Sequence, residues 1–237
     1  MTQEEKKQKL KSEKKHGFDS LRLLVDVLRG EGGCVWDKEQ THESIRNNII
    51  EETYEVVEAI DKRDTALLRE ELGDVMLQVV FHSRIEEEKG SFDIEDVMTE
   101  VVDKMILRHP HVFGDVKVAD SSEVLDNWEK IKKEEKHRKT AKESMLSVPK
   151  QLPALMRAAK VIKKAKKDGW HPDFGEDEIV KAAEAFSCAK TADAKNLAAA
   201  SLIFALTADV GEELDIERAL SDKVDEFINT YNECEKE

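Results

Sequence analysis

Two acidic clusters in helical sequence constrain this chain more than any other feature. Their members are Glu51, Glu52, Glu55 and Glu58, followed after a short gap by Glu70, Glu71 and Asp74. A carboxylate is costly to bury unless a positive charge lies beside it. Several carboxylates on a packing face therefore indicate a bound divalent cation, and this in turn suggests an enzyme that handles phosphates.

The helical period places part of the second cluster on a packing face. At 3.6 residues per turn, Glu71 and Asp74 share a face with an apolar stripe formed by Leu67, Leu68, Val75 and Val79. Glu52 and Glu55 border the stripe of the preceding helix, which contains Ile49, Val56 and Ile60. Because only a short connection near residues 61–64 separates the two helices, we expect them to pack antiparallel and to bring the four carboxylates together.

A solvated charged face is the ordinary interpretation of a glutamate-rich helix. That interpretation predicts lysine or arginine partners four residues away, and residues 51–60 contain none. Like charges three residues apart also destabilise a helix unless a counter-ion is present. Glu58 and Glu70 fit the solvated face better and are left out of the predicted ligand set.

The ligand chemistry favours Mg²⁺, with Mn²⁺ as a substitute, because all the donors are oxygen atoms. Cys34, Cys188 and Cys234 lie too far apart in sequence for a zinc motif. A di-iron bundle would need Glu-x-x-His pairs, which neither Glu52 nor Glu71 begins. His109 and His111 could also bind metal, although a His-x-His before a loop is more often structural.

The composition limits the fold and the classes of protein to which this chain can belong. The chain has 237 residues with a net charge of −14, 40% apolar and 38% charged residues, and only four prolines and ten glycines, which favours a largely helical fold. No broad basic surface for nucleic acid is expected. The longest apolar stretch, 197–206, is too short to span a bilayer. The N-terminus lacks the apolar core of a secretory signal, and the sparse cysteines fit a reducing cytoplasm.

The sequence predicts four segments along the chain. Residues 1–16 form a charged N-terminal extension that we expect to be frayed, and residues 119–148 form a charged helical linker. Between them lies a first helical repeat, 17–118, and after them a second, 149–237. By a hand alignment that places 177–186 under 51–60, the ligands Glu52, Glu55, Glu71 and Asp74 become Glu178, Lys181, Ala198 and Ser201. The second repeat is thus expected to keep the fold without the metal site.

Four stretches of this sequence resemble the MazG family of nucleoside triphosphate pyrophosphohydrolases. They are 28–41 (LRGEGGCVWDKEQT), 51–60 (EETYEVVEAI), 70–74 (EELGD) and 108–114 (RHPHVFG). The family signature is Glu-Glu-x-x-Glu followed by Glu-x-x-Asp, which here corresponds to Glu51, Glu52, Glu55, Glu71 and Asp74. Val35 and Asn47 depart from prolines common in the family, and neither position carries a carboxylate. The degenerate second repeat is the larger departure.

The resemblance implies an all-α fold of two tandem four-helix-type repeats and a homodimer that pools helices across its interface. It also implies hydrolysis of a nucleoside triphosphate to the monophosphate and pyrophosphate. Mg²⁺ would be held by Glu52, Glu55, Glu71 and Asp74, and Glu51 would either orient the attacking water or act as its base. Activity is then expected from the first repeat alone.

Basic residues are expected around the outer phosphates. Lys104 and Arg108 lie four residues apart on one predicted helix and match the family's triphosphate-binding positions, although a surface role for Lys104 is equally open. Lys38 is a further candidate. Trp36 could stack on a base, or it could be a local packing residue of a glycine-rich loop.

Two other classes of protein remain open from sequence. One is a catalytically inactive regulatory protein with this fold, which binds nucleotide or a partner without turnover. The other is a helical scaffold, which would leave the carboxylates on an apolar face unexplained. Substitution of one ligand separates the three, since only the enzyme loses turnover while it stays folded.

Overall fold

All regular structure in the described part of the protein is helical. The computed structural model describes residues 1–135, 140–169, 176–209 and 216–234, and no strand occurs in these ranges, which confirms the all-α prediction. The helices are α1 (Gln3–Ser12), α2 (Phe18–Arg29), α3 (Val35–Glu39), α4 (Arg46–Lys62), α5 (Thr65–Lys89), α6 (Ile94–Arg108), α7 (Pro110–Phe113), α8 (Ser121–Glu135), α9 (Ala141–Leu146), α10 (Ala154–Lys167), α11 (Glu176–Cys188), α12 (Ala192–Asp209) and α13 (Ile216–Cys234).

The chain divides into two compact units, residues 1–128 and 129–237. The division falls inside the predicted linker 119–148, of which residues 136–139 lie outside the described ranges. The assignment of the second segment as a degenerate repeat of the first stays a prediction.

The N-terminal segment is ordered, so the expectation of a frayed extension was wrong. Helix α1 begins with a complete capping box, in which the Thr2 side chain accepts from the Glu5 backbone N–H and the Glu5 carboxylate accepts from the Thr2 backbone N–H. Lys6 then forms an ion pair with Asp26 on α2. The charge pattern therefore serves helix capping and inter-helix pairing rather than solvation alone.

The core of the first unit is built from α2, α5, the start of α6 and the residue that precedes α4. Its buried members are Val25, Ile45, Val80, Phe81, Ile85 and Ile94, and Phe18, Leu21, Leu77 and Val97 pack around them. Burial of these side chains supplies the hydrophobic stabilisation of the unit. It also fixes the rotation of α5, which carries part of the acidic cluster.

Helices α4 and α5 form an antiparallel hairpin with a two-residue connection. Arg63 ends α4 in the left-handed region at φ 55°, and its backbone N–H donates to the carbonyl groups of Ala59 and Ile60. Asp64 caps α5 by accepting from the backbone N–H groups of Ala66 and Leu67. This short turn places the second half of α4 beside the first half of α5, as the sequence predicted.

Each of α4, α5 and α6 carries a second apolar stripe that is exposed. The residues of these stripes recur at helical spacing: Ile50, Tyr54 and Val57 on α4, Leu72, Met76 and Val79 on α5, and Met98, Val102 and Met105 on α6. Val79 and Ile60 were expected in the packing stripes, and both are exposed instead. For Val79 the reason is that α5 turns Val80, Phe81 and Ile85 toward the core.

In the second unit, α11 packs on α12, and α10 contacts α9, α12 and α13. Most of the buried residues described in this unit are small; they are Val148, Ile162, Ala165, Ala198, Ala205, Thr207 and Ala208. At the positions aligned with Glu52 and Glu55, Glu178 and Lys181 form an exposed ion pair with an N–O distance of 2.8 Å. No helix among the described residues of the chain is both long and apolar enough to cross a membrane.

Candidate metal centre

Three of the four predicted metal ligands converge between α4 and α5. One carboxylate oxygen from each of Glu52, Glu55 and Glu71 lies within 4.8 Å of the other two. Glu71 is 7% exposed, Glu52 is partly buried and Glu55 is exposed, so the cluster opens to solvent on one side. Three oxygen donors at this separation can bind one cation in common.

The carboxyl groups of Glu52 and Glu71 both have a pKa above the ordinary value for glutamate. Burial is the main cause that raises the pKa of Glu71, and the hydrogen bond and charge of Glu55 add to it. Burial also raises the pKa of Glu52, with further repulsion from Asp74, Glu55 and Glu51. Both shifts show that the site is short of positive charge, which a divalent cation would supply.

Asp74 and Glu51 lie at the edge of this group. Asp74 is partly buried and sits three residues after Glu71 on α5, and its charge acts on both Glu52 and Glu71. Glu51 is exposed, and its charge acts on Glu52. The structure thus brings Asp74 and Glu51 close to the trio but outside its 4.8 Å limit. Their predicted roles as fourth ligand and as water-orienting group or base stay predictions.

Helix α6 carries the predicted basic pair. Arg108 is 7% exposed, and Lys104 one turn earlier is partly buried. The first part of α6 packs on the core through Ile94 and Val97, while its later apolar residues are exposed. The role of Lys104 and Arg108 as triphosphate ligands stays a prediction.

The structure does not bring Trp36 and Lys38 to the carboxylates of the same chain. Arg29, with a side chain 5% exposed, holds α3 by donating from Nη1 to the carbonyl oxygens of Asp37 and Gln40, at 2.6 and 3.1 Å. The same guanidinium makes a two-point contact with Glu88 on α5, at 3.0 and 2.8 Å. Along α5, Glu88 lies about 25 Å from Glu71 at 1.5 Å per residue. Trp36 is 60% exposed at that distant end.

One group of polar residues, which includes His82 on α5, was not predicted from the sequence. In the structure, His42 in the turn before α4 meets His82 and Glu86 on α5. The signal available in the sequence was the four-residue spacing of His82 and Glu86, which puts both on one face. His42 is remote from them in sequence, so only the tertiary structure shows the cluster.

Comparison with known proteins agrees with this geometry. Residues 40–113 match the profile of the MazG nucleotide pyrophosphohydrolase domain, and this segment contains α4, α5, α6 and all members of the acidic cluster. The resemblance seen in the sequence motifs is therefore confirmed over residues 40–113.

Three curated relatives illustrate the similarity. The chain is 54% identical over 149 residues to "Uncharacterized protein YabN" of Bacillus subtilis, 62% of this chain and 30% of that protein. It is 46% identical over 154 residues to "Nucleoside triphosphate pyrophosphohydrolase" of Escherichia coli K12, 65% of this chain and 59% of that protein. It is 44% identical over 154 residues to "Nucleoside triphosphate pyrophosphohydrolase/pyrophosphatase MazG" of Thermotoga maritima, again 65% of this chain, and 58% of that protein. The match thus spans less than two thirds of each relative.

Proposed function

We propose that the first unit is a Mg²⁺-dependent nucleoside triphosphate pyrophosphohydrolase, which releases pyrophosphate and the nucleoside monophosphate. The observation that carries the proposal is the meeting of Glu52, Glu55 and Glu71 within 4.8 Å at a partly buried position inside the segment that matches the MazG domain. Two relatives named as such enzymes, from E. coli and T. maritima, support the same activity. A location in the cytoplasm belongs to this proposal and is supported by the few, widely spaced cysteines.

The donor set fits Mg²⁺. All three converging groups are carboxylates, and we propose Asp74, whose charge raises the pKa of Glu52, as the fourth ligand. Oxygen donors suit Mg²⁺ or Mn²⁺, and the raised pKa values of Glu52 and Glu71 mark where positive charge is lacking. When bound, Mg²⁺ supplies charge neutralisation at the phosphates and a lowered pKa of the attacking water.

The residues of the chain then have separate tasks in the reaction. Glu52, Glu55, Glu71 and Asp74 hold the metal–triphosphate, because a tetra-anionic substrate is repelled by bare carboxylates. Glu51 at the exposed edge either orients the water or takes its proton. Lys104 and Arg108 stabilise the negative charge that grows on the departing pyrophosphate.

We also propose that the enzyme is a homodimer. Three exposed apolar stripes on α4, α5 and α6 lack a packing partner among the described residues of the first unit. A second copy of the same helices can cover such stripes by isologous packing. Because α3 lies far from the carboxylates of its own chain, Trp36 and Lys38 can contact substrate only at the site of the partner copy.

The test is pyrophosphate release from a panel of ribo- and deoxynucleoside triphosphates, with Mg²⁺ and with EDTA. Wild type is compared with Glu71→Gln, and Glu58→Gln is the matched control because Glu58 pairs with Lys62 on the exposed face of the same hairpin. We expect Mg²⁺-dependent release by wild type and the control. We expect Glu71→Gln to lose at least about 100-fold in kcat/KM, since several kcal/mol of metal-derived stabilisation disappears.

The same experiment decides against the alternatives. A folded wild-type protein that binds a nucleotide but releases no pyrophosphate from any of them is the regulatory protein, not the enzyme. A Glu71→Gln protein that unfolds while Glu58→Gln does not would mark the cluster as structural. Equal loss in both variants would contradict the assignment of the site.

A further inference from the structure

A second polar cluster lies outside the acidic site. It joins His42, from the turn before α4, to His82 and Glu86, one helical turn apart on α5. His42 Nδ1 lies 2.7 Å from His82 Nδ1, and His42 Nε2 lies 2.6 Å from Glu86 Oε1. The hydrolase mechanism uses none of these groups, because Asp74 and His82 are about 12 Å apart along α5.

The two imidazole rings face each other edge to edge. They are nearly parallel, at 6°, and their centroids are 5.0 Å apart. That separation matches a 2.7 Å contact with both Nδ1 atoms on the line between the centroids, so the rings are coplanar rather than stacked. The lone pair of an imidazole nitrogen lies in the ring plane. The two Nδ1 atoms are therefore directed at each other across the same small space, and one of them carries the proton of this contact.

Glu86 fixes which nitrogen of His42 carries a proton. Its pKa is lowered to about 2 by hydrogen bonds from Lys89, His42 and Ser91, so it is an anion at neutral pH. An anion accepts, and His42 must therefore donate from Nε2–H. In the neutral ring this leaves the His42 Nδ1 lone pair free to accept. A carboxylate on the far nitrogen is the usual support of a metal-binding histidine, because it sets the tautomer and raises the basicity of the ligand.

We propose that His42 and His82 bind a divalent transition ion of the Zn²⁺ class through their facing Nδ1 atoms, with Glu86 as the hydrogen-bond partner of His42. Imidazole donors suit Zn²⁺, Ni²⁺ or Cu²⁺ and discriminate against Mg²⁺, which separates this site from the carboxylate trio. His42 is 31% exposed, so an ion can enter and water can complete the coordination.

Ion binding requires the shift of one proton and a movement of both rings. The proton on His82 Nδ1 that His42 accepts moves to His82 Nε2, so both rings stay neutral and no net proton is released. The two nitrogens separate from 2.7 Å to about 3.3 Å, which two bonds of 2.0–2.1 Å require at a tetrahedral ion, and each ring turns by about 35° so that its Nδ1 lone pair meets the ion. Burial lowers the pKa of His82, which keeps this ring neutral and available.

The turn that carries His42 is well defined. The Thr41 backbone N–H donates to Ser44 Oγ at 2.9 Å, and Ser44 Oγ donates to Gln40 Oε1 at 2.7 Å. A metal held by His42 and His82 therefore ties the segment before α4 to the middle of α5. Its expected effect is greater stability of the hairpin that carries the acidic cluster, rather than a direct part in hydrolysis.

Zn²⁺ alone, titrated into tag-free metal-stripped full-length protein, tests the site. The titrations are made in a Glu71→Gln background, so that the carboxylate trio does not contribute, and Co²⁺ absorption reports nitrogen ligands. We expect His82→Asn to weaken Zn²⁺ binding more than about 100-fold and Glu86→Gln about 10–100-fold. His111→Asn is the matched control, since the His109 and His111 rings are tilted by 51°, and it should bind as the parent does.

Thermal unfolding supplies a second measurement. Zn²⁺ should raise the Tm of the parent and of His111→Asn, but not that of His82→Asn or His42→Asn. If His82→Asn is unfolded, His42→Asn, on the loop side of the site, decides the result. Equal Zn²⁺ affinity in parent and histidine variants, or no binding by the folded parent, would overturn the proposal. Neither readout depends on pyrophosphate release, so the proposed function stands or fails separately.

Discussion

At the residue scale, the buried side chains of Arg29 and Glu71 differ in whether the protein itself compensates their charge. The Arg29 guanidinium is satisfied by protein groups alone, namely the Glu88 carboxylate and two backbone carbonyl oxygens, and it lies 5.2 Å over the Phe81 ring. The Glu71 carboxylate instead has Glu55 and Asp74 as neighbours, which repel it. The first arrangement is complete within the chain, and the second becomes favourable only with a cation.

The Arg29–Glu88 contact leads to a prediction about acid stability. Arg29 lowers the pKa of Glu88 below 4.5, so the contact contributes stability above about pH 4.5 and loses it as the pH falls through the lowered value. We expect Glu88→Gln to cost about 2 kcal/mol at pH 7, because a hydrogen-bonded charge is lost from a mostly buried partner. Chemical unfolding of wild type and Glu88→Gln at pH 7 and at pH 3 measures this cost at each pH.

The difference between wild type and Glu88→Gln should shrink at pH 3, where Glu88 becomes protonated. Glu58→Gln is the control, since the exposed Glu58–Lys62 pair should contribute within about 0.5 kcal/mol at either pH. A Glu88→Gln cost that does not change with pH would show that packing, not charge, holds this contact.

Glu71 leads to a prediction of opposite sign. Its raised pKa means that the metal-free native state binds protons more tightly than the unfolded state. Stability without metal is then full below about pH 4.5 and declines as the pH rises through the raised value. In EDTA at pH 7, Glu71→Gln should therefore have a higher Tm than wild type, and near pH 4 the two should coincide.

Mg²⁺ should reverse this order of Tm values, because the ion stabilises wild type by binding to it and binds only weakly to the variant. Thermal scans with EDTA and with Mg²⁺ at both pH values give the four comparisons. A lower Tm for Glu71→Gln in EDTA at pH 7 would contradict the picture of an uncompensated buried carboxylate.

At the element scale, the two-residue turn between α4 and α5 sets the register of the acidic cluster. Arg63 adopts φ 55° there, a conformation that glycine adopts without strain, and Gly90 adopts φ 72° at the end of α5. We expect Arg63→Gly to raise the free energy of unfolding by up to about 1 kcal/mol, and Gly90→Ala to lower it by about 1 kcal/mol. Urea unfolding of both variants measures the pair.

Both substitutions act on the backbone alone, so opposite signs are the essential result. A destabilised Arg63→Gly protein would show that the Arg63 side chain makes a contribution larger than its backbone strain. Pyrophosphate release in this variant should match wild type, because the register of the hairpin is unchanged.

The helix ends show which elements the sequence predicts well. Helix α6 runs from Ile94 to Arg108 between two local signals, the capping residue Asp93 and the proline at position 110. The position of α3 was not predictable in the same way. It depends on Arg29 reaching Glu88, two residues far apart in the chain, and local sequence contains no signal for that contact.

At the scale of the whole molecule, exposed apolar stripes lead to a prediction about assembly. Val102→Lys introduces a charge into the stripe of α6, and we expect the dissociation constant of the dimer to rise at least about tenfold, because an unpaired buried charge costs more than 1.4 kcal/mol. Analytical ultracentrifugation measures it. Leu146→Lys is the control, since Leu146 is exposed on α9, outside these stripes. A monomeric wild type would contradict the dimer directly.

A shared site leads to a further prediction. If α3 of one copy serves the carboxylates of the other, Lys38→Ala and Glu71→Gln proteins should each be inactive, and mixed dimers should recover activity. Random mixing leaves one intact site in half of the dimers, so about a quarter of the wild-type rate is expected. The two variants are purified separately, mixed in equal amounts to exchange subunits, and assayed for pyrophosphate release. No recovery, with Lys38→Ala active alone, would remove Lys38 from the site.

The sequence by itself determined the helical class, the hairpin of α4 and α5 and the identity of three converging carboxylates. Each of these follows from periodicity and from a short connection, which are local properties. The burial of Glu71 was also predictable, because the period assigns it to the packing face.

The tertiary structure alone decided which apolar stripe of α5 faces the core, where α3 lies and that His42 meets His82. All three depend on contacts between residues distant in the chain, and helix α5 has two apolar faces that periodicity cannot rank. Packing against α2 and α6 selected Val80, Phe81 and Ile85 and left Leu72, Met76 and Val79 exposed. The physical reason is that local sequence fixes which residues share a face, while only the assembled core fixes which face is buried.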